Sequence, residues 1–145
     1  MEKRLKNLED GYKWAKETAQ ALRTGNLSAV DMDALIDEIE SVYTGMERQV
    51  SEYLEDVFKA KLHLDYVNAE DSVADLSLTN ALTELNNLLW AAPSVSEAVT
   101  GEVIDEAYQN IRRRVVSATG KQIPEKCPYT RESILNAVST LEFTP

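Results

Sequence analysis

"LIDEIESVYTGMERQVSEYLEDVFKAKL", residues 35–62, is the stretch whose reading decides the fold. Leu35, Ile39, Val42, Met46, Val50, Tyr53 and Val57 step by four, three, four, four, three and four residues, and Ile36, Tyr43, Leu54, Phe58 and Leu62 widen the stripe. A 3.6-residue period of this length is that of an amphipathic helix, and the two-residue alternation of a strand cannot produce it. With Asp31 as its cap and no stop before about Asn68, the helix would run about 50 Å at 1.5 Å per residue. Gly45 is the weak point: glycine costs about 1 kcal/mol in a helix interior, and "YTGM" is a candidate kink or break.

Working outward, the same period recurs in segments separated by turn residues. Upstream, Asp10 can cap a helix from about Tyr12 to Thr24 that carries Trp14, Ala15, Ala19, Ala21 and Leu22, with Gly25 placed as its stop. Downstream of "NAEDS", a third helix is expected from about Leu76 to Ala92, with Leu78, Leu82, Leu85 and Leu89 on one face and Pro93 ending it. Ser94 or Ser96 can cap a fourth, with Glu97 in its first turn and Val99, Val103, Ile104, Ala107, Tyr108, Ile111 and Val115 inside, closed by Gly120. A short last helix after Thr130 buries Ile134, Leu135, Val138 and Leu141. No alternating β-branched segment bounded by turns occurs. The expected fold is therefore all-α: one helical domain over residues 1–145, a bundle of about five helices with an unusually long second one.

Composition narrows the chemistry. The chain of 145 residues is 43% hydrophobic and 28% charged, which is ordinary for a globular protein and too apolar for disorder. One cysteine allows no internal disulfide, and one cysteine with one histidine cannot make a structural zinc site. The charged start "MEKRLKNLED" lacks an apolar signal core, and no window approaches a membrane span, so a cytoplasmic protein without membrane contact is expected. The net charge of −10 is uneven: residues 1–30 sum to +2, 31–110 to −15 and 111–145 to +3. An acidic middle argues against a nucleic-acid ligand.

Candidate sites are few. The isolated glycines form no phosphate loop. His63 is preceded three residues earlier by Ala60, so the Glu-x-x-His pairs of di-iron bundles are missing. A lone histidine near a helix C-terminus reads as a partly exposed residue favoured by the dipole. In "DMDALIDEIE", Asp33, Asp37 and Glu40 share a face and are weak candidates for a hard cation, although acids also gather at helix starts for the dipole alone. Arg112, Arg113 and Arg114 fan over about 200° of a helix, too far round to form one flat patch, and are expected to pair with the acidic helix. No cofactor is expected. In "IPEKCPYTRESIL", residues 123–135, Thr130 reads as the cap of the last helix, Tyr129 as a staple onto its first turn, and Cys127 as a small apolar residue between two prolines.

Four stretches together resemble a bacterial family known as domain of unknown function 29. They are Trp14 followed by "LRTG" (Leu22, Arg23, Thr24, Gly25), "DMDALIDEIES" from Asp31 through Glu38 and Glu40 to Ser41, "APSV" around Pro93, and Tyr108 with Ile111 and Arg112 followed by the Cys127, Pro128, Tyr129 segment. The resemblance spans about residues 10–140. It implies an α-helical fold and no known activity. The family's His-Leu-Leu-Lys run late in the long helix is missing here, since an ungapped match puts Ala60 at its histidine, and Trp90 lies near the end of the third helix, not at its start. A family site built on those residues would be lost or rebuilt in this chain.

Three functional expectations follow. The first is a non-enzymatic helical protein acting through a protein partner or through self-association as a homo-oligomer. The second is an acidic decoy or inhibitor of a nucleic-acid-binding protein. The third is an enzyme with a carboxylate site around Asp33, Asp37 and Glu40.

Overall fold

The computed structural model describes residues 10–143. These form five α-helices: α1 (Gly11–Arg23), α2 (Met32–Leu62), α3 (Ser72–Ala91), α4 (Gly101–Thr119) and α5 (Arg131–Thr140). No strand occurs among the described residues, so the all-α expectation holds. The chain divides into two compact units, Met1–Gly45 and Met46–Pro145. No helix among the described residues is long and apolar enough to cross a membrane.

Each helix starts on a short polar side chain that accepts a backbone N–H its own ladder leaves unpaired. Asp10 Oδ1 accepts from Lys13 N at 3.2 Å, Asp31 Oδ1 from Ala34 N at 3.2 Å, and Thr100 Oγ1 from Val103 N at 3.2 Å. Asp71 Oδ1 accepts from both Val73 N and Ala74 N at 3.0 Å. Thr130 and Ser133 cap each other reciprocally, Ser133 N donating to Thr130 Oγ1 at 3.1 Å and Thr130 N to Ser133 Oγ at 3.0 Å. The stops are as regular. Gly25 (φ +72°) and Gly120 (φ +68°) take the left-handed conformation that side chains disfavour, and both sit where the sequence places them.

Three boundaries differ from expectation, each for a local reason. Helix α3 begins at Ser72, four residues ahead of Leu76, because Asp71 inside the polar "NAEDS" joint is itself the cap. Residues Pro93–Ala98 form a 3₁₀ turn, and α4 starts only at Gly101 on the Thr100 cap, so neither Ser94 nor Ser96 caps a helix and Glu97 lies outside α4. Leu141, expected inside, is the left-handed residue after α5 (φ +60°) and is exposed.

Within the second unit the core is continuous. Val50, Leu54, Val57, Phe58 and Leu62 of α2 meet Leu78, Leu82 and Leu85 of α3, Ile104, Tyr108, Ile111 and Val115 of α4, and Ile134 and Val138 of α5, with Val99 and Ile123 filling the joints. Helix α3 packs on α5. Burial of this order, at about 25 cal/mol per Å² of apolar surface, is what holds helices of ordinary propensity together. Within the first unit, Thr18 and Ala21 of α1 are buried and Trp14 is half-buried, while Leu22 is exposed.

Helix α2 is unbroken through Gly45, and it ends differently from an ordinary helix. Residues His63–Val67 widen into a π turn, with Asn68 N donating to His63 O five residues back at 2.7 Å. The helical path therefore extends to the boundary expected from the sequence.

Candidate functional site

The π turn aims the end of α2 at the segment that precedes α5. Lys61 and Asp65 are four residues apart on it, and their Nζ and Oδ1 lie 3.0 Å apart. Lys61 is buried, and its ammonium also sits 5.0 Å from the centre of the Phe143 ring. The other carboxylate oxygen of Asp65 accepts from the Tyr129 hydroxyl at 2.7 Å. Tyr129 is thereby tied by its hydroxyl to α2 while its ring lies against Phe58 (5.8 Å, near-parallel), Tyr108 (6.5 Å, edge-on) and Phe143 (5.2 Å, edge-on). Besides the local staple expected of it, Tyr129 therefore packs at long range against Phe58, which is buried on α2.

The family-motif residues of the second unit converge on the same place. The buried Tyr108 hydroxyl donates to the Pro124 carbonyl. Arg112 Nε donates to the carbonyls of Ile123 at 3.1 Å and Pro124 at 2.9 Å. Arg113 donates to Asn110 Oδ1 at 2.7 Å, and Asn110 in turn reaches Glu55 Oε1 at 3.4 Å. Arg112 and Arg113 thus hold backbone and amide groups, and among the described residues no ion pair joins Arg112, Arg113 or Arg114 to the acidic helix, contrary to the pairing that the sequence suggested. Cys127 is half-buried and its thiol donates to the Tyr129 carbonyl at 3.4 Å. Arg131, the first residue of α5, donates to the carbonyls of Val99 at 2.8 Å and Ser96 at 3.1 Å, anchoring the 3₁₀ turn. Pro93 opens that turn, and Pro128 lines the groove described next.

An open groove of about 670 Å³ runs over this cluster, lined by Lys61, Asp65, Tyr66, Tyr129, Ser133 and Phe143 among others. Burial shifts the titratable side chains in and beside this cluster upward. Burial, reinforced by the Asp65 carboxylate, pushes the Tyr129 phenol far above its usual value, and burial pushes Tyr108 up to about 12. Burial likewise raises the Cys127 thiol, outweighing the hydrogen bond to Tyr129 that lowers it, so the thiol is held in its weakly nucleophilic protonated form. His63 is half-buried, with Nδ1 enclosed and without a hydrogen-bond partner. Each ionised group at the groove is already engaged, and the arrangement acts as a latch joining α2, α4 and the segment before α5.

In the first unit, Asp33, Asp37, Glu38 and Glu40 of α2 are exposed, and Asp31 is spent as the cap. Among the described residues no group of three or more histidine, cysteine, aspartate or glutamate side chains is arranged to hold a metal ion, so Asp33, Asp37 and Glu40 are not brought together as one. Arg23 closes α1 as its last-turn base, and a groove of about 680 Å³ on α1 and the following turn is lined by Tyr12, Lys13, Lys16 and Arg23 among others. Lys13 and Lys16 there are engaged by Glu17 and by the Tyr12 ring.

The unexpected feature is on α2 itself. Met32, Ile36, Ile39, Tyr43 and Met46 lie in the register that continues through Val50, Leu54 and Val57 to Lys61. The later part is fully buried, yet Met32 is 44% exposed, Ile36 50%, Ile39 57% and Tyr43 49%, with the neighbouring Val42 61% exposed. The sequence showed one continuous apolar stripe and did not say what covers it. It is one stripe with two fates. A second set of exposed apolar residues, Val73, Leu76 and Trp90 on α3, is interrupted by Asn80 and Asn87 and makes no comparable run.

An all-helical fold with a latched C-terminal segment and a half-bare long helix defines the class of protein. Within it, the chain belongs to the family described as domain of unknown function DUF29, whose model matches residues 8–138. No curated protein and no solved structure matches it. Lys61, Asp65 and Phe143, which complete the latch, were missed in the sequence. A signal was there: the α2 register carries Lys61 onto the buried face, where an unpaired lysine is not tolerated and a carboxylate four residues on supplies its partner.

Proposed function

We propose that this chain is a non-enzymatic interaction module that engages another protein through the bare part of the α2 stripe. The observation that supports this reading is the exposure of Ile36, Ile39, Val42 and Tyr43 over about two turns of a helix whose apolar stripe continues into the core. Scattered exposed apolar residues are normal, whereas a contiguous set on one face is what interaction surfaces share. The latch around Tyr129 holds the C-terminal part of α2 within the second unit.

The reading is tested by site-specific photocrosslinking in the host cell. A photoreactive residue at Ile39 is expected to give a discrete adduct with one protein, and the same residue at the exposed Glu84 of α3 is expected to give none. Identical adduct patterns at both positions, or none at either in a chain that sediments as a monomer, would refute it.

A further inference from the structure

The bare stripe has chemical edges as well as an apolar floor. Between Arg23 and Arg48 the sequence contains no lysine or arginine, but it holds six carboxylates: Asp31, Asp33, Asp37, Glu38, Glu40 and Glu47. The 3.6-residue period sets Asp33, Asp37, Glu40 and Glu47 along one side of the line Met32, Ile36, Ile39, Tyr43, and Asp31 and Glu38 along the other. Asp33, Asp37, Glu38, Glu40 and Glu47 are exposed. From Met32 to Tyr43 the floor runs about 17 Å at 1.5 Å per residue, enough for an opposing helix to seat anchors at i, i+4 and i+7.

We infer that the occupant of this face is a cationic amphipathic helix of another protein, with apolar anchors for Ile36, Ile39 and Tyr43 and lysines or arginines flanking them to meet the exposed carboxylates Asp33, Asp37, Glu40 and Glu47 on one side and Glu38 on the other. The inference rests on the interaction reading above and names the partner's chemistry. Charge decides between occupants. A second copy of the same segment, laid parallel or antiparallel, would bring acid against acid over the full contact, because the segment has no base to offer, and like charges across an interface are disfavoured. A helix with acidic flanks fails for the same reason. A wholly apolar helix would fill the floor and leave the edge carboxylates without the attraction that steers a basic partner in.

The experiment uses the full chain and two designed helical peptides with identical leucine anchors, one flanked by lysines and one by glutamates. Binding is read by fluorescence anisotropy at low and high salt, with sedimentation for self-association. The lysine peptide is expected to bind at least about tenfold tighter than the glutamate peptide, since several exposed ion pairs worth a few tenths of a kcal/mol each act together. Its affinity should fall with salt, as screening shortens the reach of exposed charges. Ile39→Asp should abolish binding, and the triple change Asp37→Lys, Glu40→Lys, Glu47→Lys should reverse the preference. Far-UV circular dichroism confirms that both variants keep their helices. Equal binding of the two peptides, lost on Ile39→Asp, would overturn the basic partner and leave the interaction reading standing. So would a dimer of the chain that Ile39→Asp dissolves. No peptide binding and no self-association would overturn both.

Discussion

Removing the Asp65 carboxylate tests the latch most directly. Asp65→Ala deletes two contacts at once, the 3.0 Å pair with Lys61 and the 2.7 Å hydrogen bond from Tyr129. Hydrogen bonds to a charged group are worth about 1.5–3 kcal/mol each, so the gross loss is about 3–6 kcal/mol. Two features reduce it. The Asp65 side chain keeps 31% of its surface in water, so part of both interactions is already screened, and the freed Lys61 retains the Phe143 ring. What does not relax is Lys61 itself, 11% exposed and left without a counter-charge, and breaking such a pair from one side is the costly direction. The net expectation is a loss of about 2–3 kcal/mol, read from urea unfolding followed by circular dichroism. Tyr129→Phe alone should cost about 1 kcal/mol, and close to nothing once Asp65 is alanine, because its acceptor is gone. Lys61→Met combined with Asp65→Ala should relieve most of the penalty of Asp65→Ala, since replacing both members of the pair by apolar side chains leaves no buried charge without a partner. If Asp65→Ala costs under about 0.5 kcal/mol, or if the Tyr129 and Asp65 effects simply add, the side chains are neighbours and not a coupled latch.

Other expectations follow from the same structure. Gly45 lies inside α2 and a Cβ there would meet nothing within 4 Å, so Gly45→Ala should raise stability by about 1 kcal/mol, visible as a higher Tm. Leu54→Ala and Ile39→Ala alter one stripe at a buried and an exposed position: the first should cost about 3–5 kcal/mol by denaturant unfolding, and the second should change stability by under about 0.5 kcal/mol. Equal effects would mean that the two halves of the stripe are in the same environment. Tyr108, raised by burial from 10.0 to about 12, is neutral in the fold where the unfolded chain would ionise. Its stabilisation is therefore fully present below about pH 10 and should be lost as pH rises to about 12, by about 2 kcal/mol. Tyrosinate absorbance against pH should track that loss, and Tyr108→Phe should remove the Tyr108 share of it, leaving the share of Tyr129, whose phenol is also raised.

Much of this was legible in the sequence because it is local. The caps Asp10, Asp31 and Thr130, the left-handed stops at Gly25 and Gly120, and the break at Pro93 each depend on a few consecutive residues whose backbone chemistry admits few alternatives. The misplaced starts of α3 and α4 have the same local cause read too coarsely. Asp71 and Thr100 are also good caps, and nothing in their own neighbourhoods ranks them below Ser94 or above Leu76. The latch was half legible. Tyr108, Arg112, Cys127, Pro128 and Tyr129 stood out as a motif, but the partners Phe58 and Asp65 lie some 50 to 70 positions earlier in the chain, and a spacing of that size leaves no periodic trace.

The long helix shows where the division falls. Its sequence by itself determined that residues 32–62 are helical and which side of the helix is apolar, because helical geometry converts a four–three spacing into a face without reference to anything else. It could not determine what covers that face, since Ile39 and Val57 carry the same signal. Burial is a relation between a residue and its neighbours in space, and only the tertiary structure supplied neighbours to one half of the stripe and left the other half bare.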